Sequence, residues 1–277
     1  MLRLMYITND PVIGKIAQKS GVDWIFIDLE YIGKKDRQSN RNTVISAHTI
    51  EDIIRMRSVI DKSQLLVRVN PLGKWSKKEI DESISAGADI IMLPFFKNKK
   101  EVEEFIYLVD KRVKTCLLIE TMSAVNSIDE ILEVKGIDYV HIGLNDIHIE
   151  RKTSFMFEFL ADGYVDTLAN KIKNKNIPFG FGGIAYIGSD LLPKAEDIIA
   201  DHYRLGSTSV ILSRSFVNSS NVGDYDMFEE EFISKVENIR DLEFKLRDKG
   251  KSFFEENKLI VRRDTYKIRD LIKSKGV

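Results

Sequence analysis

The sequence predicts an α/β chain that closes into a (β/α)8 barrel and continues into a C-terminal helical extension. Short apolar runs alternate with amphipathic helical stretches eight times between residues 2 and 216, the rhythm of βαβ units and a parallel sheet. The chain has 277 residues, 43% of them hydrophobic, which suits a single core of the size usual for such barrels, about 250 residues. Residues 224–277 break the rhythm, being highly charged and helical by pattern.

Residues 2–7 (LRLMYI) read as the first strand, followed by a helix that Asp10 caps, with Pro11 at its first position and Gly21 beyond its end. Residues 24–29 (WIFIDL) read as the second strand, with Asp28 and Glu30 at its end. Residues 31–48 are polar and unperiodic, far longer than the common connection of about 2–6 residues. This marks a binding loop from which Arg37, Gln38 and Arg41 can reach an anion, or else a solvated charged loop. Thr49, with Glu51 and Asp52, then opens a helix whose periodic positions are Ile50, Ile53, Ile54 and Arg57.

Residues 65–69 (LLVRV) form the third strand, in which Arg68 is anomalous: a guanidinium in an apolar run must be paired or face a polar cavity. Asn70-Pro71 ends that run. Helix 76–86, strand 89–93, helix 99–109 and strand 115–119 follow, the last delivering Glu120. Ser127-Ile128-Asp129-Glu130 has the form of a capping box, so a helix is expected to begin at Ile128 with Ile131 and Leu132 toward the sheet. Strand 138–142 leads to Asn145 and Asp146, and a helical region covers about 153–175 with a break at Asp162-Gly163. Strand 178–181 runs into Gly182-Gly183, a helix covers 192–204, and strand 209–212 ends in Ser213-Arg214-Ser215.

Eight such units favour closure into a TIM barrel over residues 1–222, with residues 223–277 as the extension. In the extension Phe228, Phe232, Val236, Ile239, Leu242 and Leu246 recur every third or fourth residue and form one apolar stripe. The stripe is expected to pack on the barrel or on a neighbouring subunit. A complete barrel does not need it, which favours a homo-oligomer.

Composition narrows the function. Lys and Arg total 42 against 43 Asp and Glu, a formal net charge of −1, so no global field draws the chain to nucleic acid or to a membrane. A small-molecule partner is expected. Cys116 is the only cysteine and sits in an apolar run, which excludes an internal disulfide and reads as a buried hydrophobe. No apolar run approaches the ~18 residues of a membrane span, and the opening MLRLMYITNDP does not form a signal peptide, so a cytoplasmic protein is expected.

Candidate chemistry gathers at the predicted C-terminal strand ends, where α/β barrels bind ligands. Asp28, Glu30, Arg68, Asn145, Glu120 and Asp146 all fall there. Like charges crowded at one rim require a cation or Arg68 to compensate them. With oxygen donors and no nearby cysteine, Mg2+ or Mn2+ suits the site, held by Glu120 and Asp146. Arg68 is then placed to take a substrate carboxylate bidentately, which predicts a small 2-oxo acid and stabilisation of its enolate. Glycines at 180–188, with Gly183 and with Arg214 after the eighth strand, form a candidate phosphate-binding edge. His48, at the end of the long loop, and His148, just after Asp146, can supply a base or else read as hydrogen-bonded surface or core residues; His141 reads as packed within strand 6, and His202 as remote from the rim.

The ordered set VRVNPLG around Arg68, GADIIMLP at 87–94, LIETMSAVNSIDEIL around Glu120 and GIDYVHIGLNDI around Asp146 resembles the HpcH/HpaI aldolase and citrate lyase β-subunit family, over about residues 4–216. The resemblance implies a TIM barrel, a divalent metal on Glu120 and Asp146, carboxylate binding by Arg68, and an oligomer in which a C-terminal helix is exchanged. Two positions depart from the aldolase branch: Tyr31 stands where its Asp-x-Glu-His motif has the acid/base histidine, and Leu118 where it has Gln. Asp28-Leu29-Glu30 and Arg68-Val69-Asn70 are instead similar to the acyl-CoA lyase branch.

The function expected is therefore a divalent-metal-dependent carbon–carbon lyase of class II aldolase type. It would act on a pyruvate-like 2-oxo acid and an aldehyde, with Arg68, Asp28 and Glu30 as the catalytic set. Arg68, Asn145, Gly183 and Arg214 would bind the substrate. An acyl-CoA lyase of the citrate lyase β type and a non-catalytic carboxylate- and metal-binding barrel are the alternatives.

Overall fold

The computed structural model describes residues 1–33, 47–217 and 224–275. Arg37, Gln38 and Arg41 lie outside the described residues. Eight strands, β1 (Arg3–Ile7), β2 (Trp24–Asp28), β3 (Gln64–Arg68), β4 (Ile90–Leu93), β5 (Lys114–Ile119), β6 (Tyr139–Ile142), β7 (Phe179–Ile184) and β8 (Ser209–Leu212), form a closed barrel in chain order. Every pairing is parallel, and β8 closes onto β1 with Arg3 opposite Ser209 and Tyr6 opposite Leu212.

Side chains alternate along each strand, so the sequence of a strand divides into two faces. Met5, Trp24, Phe26, Leu66, Ile90, Met92, Cys116 and Leu118 fill the barrel interior. Their neighbours Leu4, Ile25, Ile27, Leu65, Val67, Ile91 and Leu117 lie in the larger layer beneath the helices. One further step of the inner series takes Phe26 to Asp28, Leu66 to Arg68 and Leu118 to Glu120. The polar set thus stands on the inner face at the C-terminal rim, above a packed apolar floor.

The helices are α1 (Pro11–Lys19), α2 (Ile50–Arg57), α3 (Ser76–Ser85), α4 (Lys99–Val109), α5 (Met122–Asn126), α6 (Ile128–Ile131), α7 (Leu144–Glu150), α8 (Glu158–Ala161), α9 (Tyr164–Asn174), α10 (Ala195–Leu205), α11 (Tyr225–Leu246) and α12 (Lys251–Ser274). Local chemistry starts several of them. The Asp10 carboxylate accepts from the Val12 and Ile13 N–H groups at the head of α1. Thr49 and Asp52 form a capping box at α2, and the Asn98 side chain caps α4. Each satisfies N–H groups that the first helical turn leaves without partners.

Four expectations need correction. Ser127 makes no side-chain cap; Thr121 does, accepting from the Ala124 N–H, so a turn of helix precedes Ile128. On α2 the buried apolar residues are Ile53 and Met56, while Ile54 is 47% exposed; in a helix this short, tertiary contact decides which face is buried. Asn145 and Asp146 lie in the first turn of α7, a helix absent from the sequence reading. Gly182 and Gly183 belong to β7 itself, where the register with β8 shifts between Gly180 and Gly183.

The C-terminal stripe packs on this chain's own barrel, between α1 and α10. Phe228, Phe232, Val236, Ile239 and Leu246 are buried, and Phe232 meets Tyr6 edge-on at 4.9 Å. The Glu243 carboxylate is fully buried and accepts from the Leu2 N–H at 2.5 Å, while Arg240 donates to the Leu2 carbonyl at 2.8 Å. α11 therefore stands where an eighth barrel helix stands. The preference for a neighbouring subunit rested on a barrel complete without this helix, and the packing removes that reason. α12 lies across α8 and α10, tied by Lys258 to Asp166 at 2.8 Å and by the Asn257 amide to the Asp197 carbonyl at 2.8 Å.

Candidate active site

β2 and β3 are paired with Asp28 directly opposite Arg68. The pairing sets the two side chains next to each other on the inner face. Arg68 Nε donates to Asp28 Oδ1 and Nη2 to Oδ2, both at 2.8 Å, the two-pronged geometry that makes Arg–carboxylate pairs directional. Glu30 Oε2 lies 3.4 Å from Arg68 Nε, and the Glu30 N–H donates to Asp28 Oδ1 at 3.2 Å. Beneath, the Phe26 ring faces the guanidinium at 5.6 Å, adding a cation–π contact. Asp28 and Glu30 are 1% and 2% exposed, so among the described residues this is a buried cluster of two anions and one cation.

Burial by itself lowers the Arg68 pKa, but Asp28, then Glu30, with Glu120 behind them, more than reverse it, and the net shift is upward. Arg68 is thus a permanent cation at any working pH. The expectation that it must be paired holds. Its partner is Asp28, which occupies the Nε–Nη2 edge and leaves the Nη1–Nη2 edge as the second fork of the guanidinium.

Glu120 stands at the end of β5, 3% exposed, with Oε1 accepting from the Phe95 N–H at 3.0 Å. Phe95 has a left-handed backbone, φ 53°, and strain of this kind persists where surrounding structure holds it. The exit of β6 passes close by: a Cβ added to Gly143 would meet Glu120 Cβ at 3.0 Å and Oε2 at 3.3 Å. Gly143 also caps α7, whose first turn carries Asp146.

Among the described residues no group of three or more His, Cys, Asp or Glu side chains forms a metal-holding cluster. Glu120 at the end of β5 and Asp146 in the first turn of α7 are the two carboxylates expected to hold a metal. Such a set fits Mg2+ or Mn2+, which commonly take one or two carboxylates and fill the remaining positions with water and substrate oxygens. Neither residue supplies the nitrogen or sulfur that zinc sites commonly include.

The four histidines divide cleanly. His141 is buried in β6 with Nε2 3.1 Å from the Gly182 carbonyl, and burial drives its pKa down to about 4. His202 stacks on Phe181 at 3.8 Å, and burial pushes its pKa well below the ordinary value. His148 lies within 3.0 Å of the Thr153 carbonyl just past α7. His48 accepts the Asp28 backbone N–H through Nδ1 at 3.0 Å. An acceptor at Nδ1 puts the proton of the neutral ring on Nε2, and the ring lines a pocket with Leu29, Trp75 and Glu79. Tyr31 is 64% exposed.

The remaining sequence candidates are placed differently. Gly183 lies inside β7, where an added Cβ would come 3.3 Å from the Ile211 carbonyl, so close strand packing accounts for it. Arg214 opens a 3-10 turn after β8, and its side chain lies outside the described groups. Asn70, which ends the β3 run and completes the Arg68-Val69-Asn70 resemblance, has a further role absent from the sequence reading. Its amide bonds to both the loop after β2 and Glu79 of α3. The Asn-Pro pair after Arg68 was the one local signal for it. Among the described residues no helix is long and apolar enough to cross a membrane.

The comparisons with known proteins bear on the family and the fold. The chain is 22% identical over 170 residues to a hydroxypyruvate/pyruvate aldolase of Roseovarius nubinhibens, covering 50% of this chain and 60% of that protein. It is 22% identical over 165 residues to the 2-keto-3-deoxy-L-rhamnonate aldolase of Escherichia coli, covering 49% and 56%. The matches thus span under two thirds of these curated relatives' length. The crystal structure of an HpcH/HpaI aldolase from Desulfitobacterium hafniense superposes with a TM-score of 0.63 at 16% identity, covering 84% of this chain and 93% of that one, a likeness of fold. The model of the HpcH/HpaI aldolase/citrate lyase family matches residues 3–158, the stretch that holds Asp28, Glu30, Arg68, Glu120 and Asp146, and the chain belongs to that family.

Proposed function

We propose that this chain is a divalent-metal-dependent carbon–carbon lyase of class II aldolase type, acting on a pyruvate-like 2-oxo acid with an aldehyde as the second partner. The observation that carries the reading is Arg68 held edge-on by Asp28 at the inner rim, 2.8 Å on both prongs. That pairing orients the guanidinium and presents its Nη1–Nη2 fork to a second carboxylate, that of the substrate. Glu120 and Asp146 would hold the cation. When bound, it supplies Lewis-acid polarisation of the ketone and neutralises charge that develops on its oxygen.

The chain's own residues do the rest. Arg68 binds and aligns the substrate carboxylate, so that the methyl carbon is presented in one orientation. Asp28 gives both oxygens to the Arg68 fork, and in this reading Glu30, the second carboxylate against the guanidinium, takes the methyl proton. The apolar floor of Phe26, Met92 and Leu118 keeps bulk water from entering beneath the site.

The test is proton exchange. Pyruvate in deuterated water, with Mg2+ or Mn2+, is expected to lose its methyl proton signal when the protein is added and to keep it when the metal is chelated. Binding of pyruvate without exchange under both conditions would refute the reading.

A further inference from the structure

We propose that Asn70 and Glu79 are positioning residues for the Asp28–Glu30–Arg68 cluster, acting as a side-chain continuation of the β2–β3 ladder. The last backbone bond between these strands runs from the Leu29 N–H to the Arg68 carbonyl at 2.9 Å. Beyond it the β2 exit leaves the sheet, and its backbone groups need partners elsewhere. Asn70 supplies them. Its Oδ1 accepts from the Tyr31 N–H at 3.0 Å and the Ile32 N–H at 2.9 Å, and its Nδ2 donates to the Leu29 carbonyl at 3.1 Å. These three bonds bracket Glu30 on both sides and begin one residue after Asp28. The carboxylates and Arg68 are therefore aligned by two links, the ladder below and the Asn70 amide above.

Asn70 is itself held. It is 2% exposed, and Glu79 of α3 accepts from its backbone N–H at 2.9 Å and from Nδ2 at 2.5 Å. Among the described residues no cation pairs with Glu79. Burial, the largest influence, raises its pKa, and the two Asn70 bonds oppose the rise. A half-buried carboxylate without a cation is costly, and its return here is the orientation of one amide. With Nδ2 directed to two oxygen acceptors and Oδ1 to two N–H donors, no flipped rotamer of Asn70 satisfies the site. The positioning role follows from the geometry; that the aligned cluster is catalytic rests on the proposed lyase reading.

The pair can be swapped. In Asn70→Asp a carboxylate faces the Glu79 carboxylate and the Leu29 carbonyl, with no donor between them. In the double variant Asn70→Asp with Glu79→Gln, the acid and amide exchange places and the contact between them is restored. The readout is the Arg68 Nε–H resonance in protein labelled with 15N-arginine, assigned by its loss in Arg68→Lys, together with oxalate affinity by calorimetry.

Asn70→Asp is expected to shift or broaden that resonance and to weaken oxalate at least tenfold, with the double variant recovering both toward the wild type. An unmoved Arg68 signal and unchanged oxalate affinity in Asn70→Asp would overturn the proposal, as would a double variant no better than the single. If Asn70→Asp fails to fold, Glu79→Gln alone decides, since it keeps one acceptor for Asn70 and removes the other. A wild-type spectrum and affinity in Glu79→Gln then overturn the proposal, and a shifted resonance supports it. Absence of proton exchange on pyruvate in the wild type would remove the lyase reading and leave this result untouched.

Discussion

Arg68 and Asp28 lie opposite each other in the β2–β3 register, and their side chains meet in two parallel bonds of 2.8 Å. Two consequences are separable. Arg68→Met leaves Asp28 and Glu30 buried without their shared cation, and breaking a buried pair this way costs about 3–5 kcal/mol. Arg68→Lys keeps the charge and loses the fork. Urea unfolding is expected to show the large loss for Met and a smaller one for Lys, while both weaken oxalate tenfold or more. Oxalate binding unchanged in Arg68→Lys would remove the carboxylate role.

The metal assignment depends on charge at Glu120 and not on its shape. A Gln at this position keeps an oxygen for the Phe95 N–H, the bond that Oε1 makes at 3.0 Å, so folding stability is expected to change by less than about 1 kcal/mol. Mn2+ affinity, followed by the paramagnetic resonance of free ion, is expected to fall at least tenfold in Glu120→Gln and in Asp146→Asn. Either variant binding Mn2+ as the wild type does would place the cation elsewhere.

The buried histidines set a pH dependence of stability. The His141 pKa falls from 6.5 to about 4, burial being the main cause, with Arg68 pushing the same way and the Gly182 bond opposing. Between those values the unfolded chain holds a proton that the folded chain does not. Stability is therefore lost as the pH falls from about 6.5 toward 4, by up to about 1.4 kcal/mol per pH unit per group. His202 is shifted in the same direction and adds to the slope. Unfolding free energies at pH 7.5, 6.0 and 5.0 are expected to decline, and His141→Gln to flatten the decline. An equal slope in that variant would reject the assignment.

What was readable in the sequence followed from local chemistry. Asp10 before Pro11 marks the start of α1, and the helix over 99–109 and the strand over 209–212 have the bounds read from periodicity. The Arg68 anomaly was a sound inference, because an unpaired guanidinium in an apolar strand is too costly to persist. What was not readable depended on choices between two local options or on distant partners. Ser127 and Thr121 both carry capping side chains, and only Thr121 also reaches the Phe96 carbonyl, at 2.8 Å. Gly182 reads as lying past the end of its strand, yet its φ of 53° and the Leu144 side chain 2.9 Å from where a Cβ would stand belong to an irregular strand. Asn70 and Glu79 sit nine residues apart on different elements, and no periodicity links them.

The same distinction bears on where the folding unit ends. Residues 1–222 contain all eight strands, but α11 covers the N-terminal end of β1 through Glu243 and Arg240 and covers Tyr6 and Phe216 through Phe232. Five apolar side chains of α11 are buried, and at about 1.5–3 kcal/mol each their removal amounts to on the order of 10 kcal/mol, comparable with the whole stability of a typical domain. A chain ending at residue 223 is therefore expected not to fold, with far-UV circular dichroism lacking a cooperative urea transition. Phe232→Ala in the full chain is the milder form, expected to cost about 3–5 kcal/mol while leaving the fold intact. A truncated chain that unfolds cooperatively near the full-length midpoint would make residues 224–277 a dispensable appendage. The apolar stripe would then need another explanation, in which contact with a second subunit regains its place.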